Sequence, residues 1–378
     1  MLTKSNLIIK RRLHMTTDSL FKPFEAGNLK LSNRVVMAPM TRAFSPNGIP
    51  GSDVAAYYRR RAEGGVGLII TEGTAINHPS AVSHPNIPNF HGEESLKGWE
   101  QVVTEVHAAG GKIMPQLWHV GMARSKGDLP NAEALPIGPS GLNLSGEPVT
   151  EPMTQTEIAG IVAAFAQAAA DAKRIGFDGI ELHGAHGYLI DQFFWEKTNK
   201  RTDRYGGDFV ARTTFAVEII EACRRAVGPE FPIVLRFSQW KSGDYNGKLA
   251  KSPEELAQFL APLSEAGVDI FHCSTRRFWL PEFEGSELNL AGWTQKITGK
   301  PSITVGSVGL NSDFVGGEAE KNDEDNIGRL LEKLEKEEFD LVAVGRALIV
   351  DPAWPAKVQS GRTDEIIPFT PAATKTLF

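Results

Sequence analysis

The feature that most constrains the fold of this 378-residue chain is the alternation of short apolar runs with amphipathic helical segments. Eight apolar runs have the length and β-branched composition of buried strands. They lie at residues 34–37, 68–72, 112–117, 179–182, 233–237, 270–273, 302–305 and 341–344. Helical periodicity separates them; Ile158, Ile161 and Phe165, for example, share one helical face. This α/β pattern predicts a TIM (β/α)8 barrel with elaborated loops.

An open, doubly wound sheet is the main alternative fold. No Gly-x-Gly-x-x-Gly sequence follows the first predicted strand, which disfavours that alternative. We expect a single barrel at residues 19–365, a disordered extension at 1–18 and a surface tail at 366–378. A targeting segment, or a second translation start at Met15, is an alternative interpretation of the basic N-terminal residues. An exposed acidic insertion is expected at 314–325.

Composition excludes several classes of protein. The net charge is −6 and no long basic run occurs, so nucleic acid is not an expected partner. The two cysteines, Cys223 and Cys273, cannot supply a disulfide framework or an iron–sulfur cluster. No apolar run reaches the length of a transmembrane helix. We therefore expect a cytoplasmic protein without membrane partners; its oligomeric state stays open, a homo-oligomer included.

Glycines follow the last two predicted strands, at 306–309 and at Gly345-Arg346. In a TIM barrel the functional residues follow the carboxyl ends of the strands, and the last two loops often bind phosphate. Glycine lets backbone N–H groups approach an anion, and Arg346 adds a fork of donors. The pairing of both loops with an arginine favours a phosphate site over ordinary turn glycines.

Two histidines and a tyrosine, His183, His186 and Tyr188, follow the fourth strand. His183 and His186 are either two ligands of a metal ion, or hydrogen-bond donors to a substrate oxygen with Tyr188 as the acid. Their spacing does not decide between these. Glu181 is expected to point to the other side of the strand from His183. Arg236, within an apolar strand, needs either a carboxylate or an anionic ligand as its partner.

Short segments in a fixed order add to this interpretation. The most specific are His-Gly-Ala-His-Gly-Tyr at 183–188 and Arg-Thr-Asp-Arg-Tyr-Gly-Gly at 201–207. The others lie at residues 33–42, 71–74, 116–121, 179–182, 198–199, 236, 305–309 and 344–346. Together they span about residues 21–352, and in this order they resemble the old yellow enzyme family of flavin-dependent ene-reductases.

The resemblance implies non-covalent FMN at the mouth of the barrel and NAD(P)H as its reductant. Thr41 would hydrogen-bond the flavin O4, Gln116 the pyrimidine ring, and Arg236 the N1–O2 edge. The full set implied to contact FMN is Ala38, Pro39, Met40, Thr41, Gly73, Gln116, Arg236, Gly306, Ser307, Val308, Gly345 and Arg346.

The same resemblance implies a reaction in which hydride passes to the Cβ atom of an α,β-unsaturated carbonyl compound. His183 and His186 would bind the carbonyl oxygen, and Tyr188 would protonate Cα. Trp118 and Trp279 are expected to line the substrate site. The alternatives are a metal-dependent barrel hydrolase that uses the two histidines as ligands, and a flavin-binding protein without turnover.

The sequence departs from the family pattern at several positions. Thr41 stands where some members have cysteine, and His186 where many have asparagine. The active-site tyrosine that members often carry near the C-terminus is missing, because no tyrosine follows Tyr245. Met122 replaces a common arginine, and Arg124 is a candidate to compensate for it.

Overall fold

The eight predicted strands form a closed parallel barrel in the computed structural model, which describes residues 17–310 and 326–378. The strands are β1 (Phe24–Ala26), β2 (Leu29–Leu31), β3 (Val35–Met37), β4 (Leu68–Ala75), β5 (Lys112–Trp118), β6 (Ile180–His186), β7 (Ile233–Lys241), β8 (Ile270–Ser274), β9 (Ser302–Val305) and β10 (Leu341–Val344). β3 to β10 follow one another around the barrel in chain order, and β10 pairs with β3 to close it. The predicted TIM barrel is confirmed.

Helices surround the barrel where the periodicity predicts them. They are α1 (Asp18–Phe21), α2 (Ser52–Glu63), α3 (Glu93–Ala108), α4 (Gln155–Arg174), α5 (Leu189–Phe194), α6 (Thr214–Val227), α7 (Pro253–Ala266), α8 (Leu290–Thr298), α9 (Asn326–Glu335), α10 (Arg346–Val350) and α11 (Trp354–Gln359). α4 begins with a capping box formed by Thr154 and Glu157, and its face of Ile158, Ile161 and Phe165 is buried. Such faces cover the outside of the barrel, so that its strands are buried on both sides.

A short hairpin, β1–β2, is an element that the apolar runs did not indicate. Phe24, Leu29 and Leu31 from the hairpin form one apolar cluster with residues at the amino ends of the barrel strands, such as Leu68 and Leu341. The hairpin therefore fills the end of the barrel opposite to the expected site. Its signal in the sequence is the Gly-Asn pair between two runs of alternating apolar residues.

The structure describes the C-terminal tail of the chain but only the last residues of the predicted N-terminal extension. The predicted extension, apart from its last two residues, and the predicted acidic insertion lie outside the described residues. The tail is described: Arg42 donates hydrogen bonds to the backbone oxygens of Ala373, Thr374 and Thr376, so the tail packs against the barrel. None of the helices in residues 17–310 and 326–378 is long and apolar enough to cross a membrane.

Candidate active site

A cavity of about 410 Å³ opens at the carboxyl ends of the barrel strands. Every candidate cofactor, catalytic and substrate residue from the sequence lines it, with one exception. The lining includes Ala38, Pro39, Met40, Thr41, Gly73, Gln116, Trp118, His183, His186, Tyr188, Arg236, Gly306, Ser307, Val308, Gly345 and Arg346. Residues from seven different strand ends thus meet in one space, as the geometry of a TIM barrel requires.

The exception is Trp279, which is not among the residues that line this cavity. Its ring packs edge-on against Phe278, with centroids 5.1 Å apart, and the side chain is half-buried. The expectation that Trp279 contacts substrate has no support from the lining of this cavity and stays a prediction. Trp240 and Tyr245 supply aromatic lining instead.

The strands that carry most of the candidate side chains are longer than their apolar runs predict. β6 continues to His186 and β7 to Lys241. The register between β6 and β7 shifts between Gly184 and His186, which is a β-bulge. His186 takes a positive φ of 65° there, a conformation that is rare for residues other than glycine. Bulges of this kind re-aim side chains beside active sites.

His183, His186 and Tyr188 form one aromatic cluster. The ring centroids of His183 and His186 are 5.2 Å apart, and those of His183 and Tyr188 are 4.9 Å apart. Trp118 packs against both His183 and Tyr188, and Trp240 stacks on His186 with centroids 4.4 Å apart. These contacts hold the three polar rings in a fixed arrangement at the cavity wall.

Burial sets the protonation of this cluster. Burial, together with the positive charge of Arg236, lowers the pKa of His183 and of His186 well below the ordinary value of 6.5. Burial also raises the pKa of Tyr188. At neutral pH both histidines are therefore uncharged with one N–H each, and the tyrosine keeps its proton. Nε2 of His186 lies 2.8 Å from Ser274 Oγ, so the N–H that is available to a ligand is the one at Nδ1 if Ser274 donates in this bond.

Arg236 lies within the barrel wall with its charge only partly compensated. Its Nη2 donates to Ser274 Oγ at 3.3 Å, and Nε has no hydrogen-bond partner among the described residues. Burial lowers the pKa of this guanidinium, while the carboxylate of Glu181 opposes that shift. A buried cation with unused donors fits an electron-rich ligand in the cavity.

The side chain of Glu181 shares the interior of the barrel with His183. Its carboxylate contacts Gln116 on β5 and His272 on β8 and is fully buried. The expectation that Glu181 points away from His183 is wrong, because residues two apart in a strand lie on the same face.

The opposite part of the cavity consists largely of backbone. Gly306 has a φ of 151°, and a Cβ atom there would lie 2.6 Å from the backbone oxygen of Thr275. Ser307 follows with a φ of 54°. A loop without side-chain bulk at Gly306 lets backbone N–H groups approach an anion closely. At Gly73 a Cβ atom would lie 2.4 Å from the ring of Trp118, so only glycine fits there.

Several lining residues were not found from the sequence: Trp240, Tyr245, Ser274, Thr275, Arg276, Val305, Leu310, Ala343, Ile349, Phe369 and Thr374. For Trp240 a signal exists, since it lies four residues after Arg236 and so on the same face of an extended strand. Ser274 lies directly at the exit of a predicted strand. Phe369 and Thr374 belong to the tail, and no local pattern indicates that it folds back to the cavity.

Two further expectations concern Arg124 and a metal ion. Arg124 does not line the cavity; its guanidinium donates to backbone oxygens of its own loop, including that of Ala134 at 3.0 Å. In the part of the chain that the structure describes, no group of three His, Cys, Asp or Glu side chains could hold a metal ion. The geometry therefore does not favour the metal-dependent hydrolase.

The barrel and the cavity define a class of protein: an α/β barrel with a glycine-containing loop after β9, a buried arginine and an uncharged His-His-Tyr cluster. Residues 19–365 match the NADH:flavin oxidoreductase / NADH oxidase family. The chain belongs to this family, which is the old yellow enzyme family of flavoproteins. The family consists of oxidoreductases, and FMN is its cofactor.

Individual relatives agree with this assignment. The chain is 36% identical over 358 residues to an NADH oxidase of Thermoanaerobacter brockii; the match covers 92% of this chain and 52% of that one. It is 32% identical over 365 residues to the probable inactive reductase easA of Epichloe festucae var. lolii, covering 92% and 90%. The structure of morphinone reductase in complex with tetrahydroNAD superposes with a TM-score of 0.78 at 31% identity, covering 94% and 93%. The chain thus spans about half the length of the bacterial oxidase.

The residues present fit FMN on structural grounds. The partly compensated charge of Arg236 matches the electron-rich pyrimidine edge of a flavin. The loop at Gly306 and Ser307, with Arg346 beside the same cavity, matches a phosphate group.

Proposed function

We propose that this protein reduces the activated carbon–carbon double bond of α,β-unsaturated carbonyl compounds with hydride from NAD(P)H. The observation that carries the proposal is the cluster of His183, His186 and Tyr188, whose uncharged donors all line one cavity. FMN, when bound, supplies the hydride-transfer chemistry that links the nicotinamide to the second substrate. The protein contributes orientation, polarisation and a proton.

His183 and His186 act on the carbonyl oxygen of the substrate. Because their pKa values are lowered, each donates one neutral N–H hydrogen bond rather than a full positive charge. Two donors at fixed positions stabilise the negative charge that develops on this oxygen during the reaction. This polarisation makes Cβ a better hydride acceptor.

Tyr188 supplies the proton to Cα. Its raised pKa keeps the phenol protonated throughout the neutral range. Edge-on contacts with Trp118 and His183 hold the ring, with centroids 4.9 Å apart in both pairs. A general acid held in this way contributes about 10²–10⁴-fold to the rate.

The cofactor side of the proposal assigns Thr41, Gln116 and Arg236 to the flavin ring. Gly306, Ser307, Val308, Gly345 and Arg346 are assigned to the phosphate, and Ala38, Pro39, Met40 and Gly73 to the faces and edge of the ring. Trp118 is assigned to the substrate side, because it contacts both His183 and Tyr188.

An anaerobic absorption experiment tests the proposal. The purified protein, incubated with FMN and desalted, is expected to be yellow, to bleach on titration with NADPH or NADH, and to recover its colour with 2-cyclohexenone. A protein that does not retain FMN would overturn the proposal. Bleaching without recovery for any enone would instead support the flavin-binding alternative. One relative, easA, is named a probable inactive reductase.

A further inference from the structure

A buried chain of hydrogen bonds lies behind the cavity wall and involves Glu181, Gln116 and His272. Glu181 Oε1 accepts a hydrogen bond from Gln116 Nε2 at 2.7 Å. Glu181 Oε2 lies 2.6 Å from His272 Nδ1. The contact between Glu181 and His272 runs from β6 past β7 to β8, so it crosses the interior of the barrel. The carboxylate and the imidazole have no solvent exposure.

This arrangement fixes the direction of each hydrogen bond. A carboxylate only accepts, so both neighbours must donate to Glu181. Gln116 therefore gives an N–H of its amide to Glu181 and keeps Oε1 as an acceptor. Among the described residues Oε1 has no hydrogen-bond partner, and the side chain lines the cavity. His272 must donate through Nδ1; burial lowers its pKa, so the ring is neutral and its single N–H is used here.

The cavity wall thus presents the Oε1 acceptor of Gln116 and the guanidinium donors of Arg236. Among the described residues Nε of this guanidinium has no hydrogen-bond partner. A ligand edge that matches this pair carries an N–H group next to a carbonyl oxygen. The imide edge of the flavin pyrimidine ring has this pattern, with its N–H at N3. If the Gln116 amide were turned the other way, its NH2 group would face the N–H of the imide. Two buried donors would then have no acceptor.

We propose that Glu181 is a positioning residue that, backed by His272, locks the amide of Gln116 with its oxygen toward the cavity and so selects the N–H of the flavin imide. This inference rests on the proposed function, because it takes FMN as the ligand. Glu181 itself touches neither cofactor nor substrate; it acts through Gln116.

The substitution Glu181→Gln reverses the direction of the hydrogen bond between residues 116 and 181 and keeps the size and shape of the side chain. The new amide must turn its oxygen to the N–H of His272 and its NH2 group to Gln116. Gln116 must then turn its own oxygen to residue 181 and its NH2 group to the cavity. We expect FMN to bind about 10- to 100-fold more weakly, the effect of leaving buried donors without acceptors.

The direct readout is the ¹⁵N resonance of N3 in bound ¹⁵N-labelled FMN, which moves downfield when its N–H is donated to an acceptor. In the wild-type protein this signal is expected downfield, and in Glu181→Gln it is expected to move upfield. The double variant Glu181→Gln/Gln116→Glu restores an acceptor toward the cavity and is expected to return the signal downfield. Because the double variant again satisfies every buried bond, it serves as the test should the single variant fold poorly.

Glu282→Gln is the matched control. Glu282 Oε1 accepts from Gln239 Nε2 at 3.0 Å and also pairs with Lys248, outside the residues that line the cavity. We expect its FMN affinity and N3 signal to equal those of the wild type. A Glu181→Gln protein with unchanged affinity and N3 signal, or a double variant whose signal stays upfield, would overturn the inference. A wild-type protein that binds no FMN would instead overturn the proposed function.

Discussion

β4 to β7 have seven to nine residues each, whereas β3, β9 and β10 have three or four and give way to loops. The long strands carry what we call the side-chain wall of the cavity: Trp118, His183, His186, Tyr188 and Arg236. The short strands lead into what we call the backbone wall: residues 38–41, 306–308 and 345–346.

The difference between the walls follows from what each is proposed to bind. A phosphate and a flat ring are recognised by N–H groups at close range, which needs glycine and short side chains. Catalysis needs polar side chains in exact positions, and these are held best on rigid strands. The side-chain wall therefore depends on buried partners, and the backbone wall depends on its two glycines, Gly306 and Gly345.

The largest expected effect belongs to the side-chain wall. Tyr188→Phe removes the proposed proton donor while the ring contacts with Trp118 and His183 remain. We expect reduction of the bound flavin by NADPH to be unchanged and its reoxidation by 2-cyclohexenone to slow about 10²–10⁴-fold. Stopped-flow absorbance measures the two half-reactions separately. Equal rates for variant and wild type in the second half-reaction would remove Tyr188 from its role.

The second largest effect is expected for the buried ion pair of Lys241 and Asp191, which lies behind the side-chain wall. Lys241 Nζ lies 2.8 Å from Asp191 Oδ1 with both side chains fully buried, and Asp191 Oδ2 accepts from the N–H of Gly187 at 2.7 Å. Lys241→Met leaves the Asp191 carboxylate without its cation, at an expected cost of about 3–5 kcal/mol in the free energy of unfolding. Urea denaturation measures this value.

Lys112→Met is the matched control for this prediction. Lys112 pairs with Asp178 at 2.9 Å, but its side chain is 40% exposed. Its loss is expected to change the free energy of unfolding by less than about 1 kcal/mol. Similar losses for the two lysine variants would show that burial of the Asp191 pair is not what stabilises the loop before Tyr188.

The backbone wall is tested by Gly306→Ala. The added Cβ atom meets the oxygen of Thr275 at 2.6 Å, and the φ of 151° disfavours any other residue than glycine. We expect a loss of about 1–3 kcal/mol in the free energy of unfolding and an FMN dissociation constant raised at least about tenfold. Fluorescence quenching of FMN measures the latter. Gly160→Ala, in α4 with open space around it, should leave FMN affinity unchanged.

The smallest effect concerns pH. The lowered pKa values of His183 and His186 keep both rings neutral from pH 8 to below 6.5, so their donors do not change in this range. We expect the rate of the 2-cyclohexenone half-reaction to be flat between pH 8 and about pH 6.5 and to fall only at lower pH, when the rings gain protons. An inflection at pH 6.5 would mean that at least one histidine is not desolvated.

The sequence predicted the barrel well because its apolar runs are the buried lower parts of the strands. It gave β9 and β10 their correct bounds, since these strands end where their apolar residues end. It placed the ends of β4 to β7 too early, because the last residues of β6 and β7 include polar side chains and those of β4 include a glycine, which break the apolar pattern. Residues such as Trp240 were missed for this reason.

Other misses have a different physical origin. Phe369 reaches the cavity because Arg42 holds the tail through three backbone oxygens, and contacts over such a separation leave no local pattern. Trp279, chosen for its residue type at a strand exit, packs against Phe278, and its contact with substrate stays a prediction. The partnership of Glu181 with Gln116 and His272 follows from alternation in the strand once the register is known.

Isotope labelling of the product tests the central claim most directly. The protein is supplied with FMN and NADPH and reduces 2-cyclohexenone in D2O, and the product is analysed by nuclear magnetic resonance. The account predicts cyclohexanone that carries deuterium at Cα, delivered from the deuterium-exchanged hydroxyl of Tyr188. Unchanged enone, or cyclohexanone without deuterium at Cα, would contradict it.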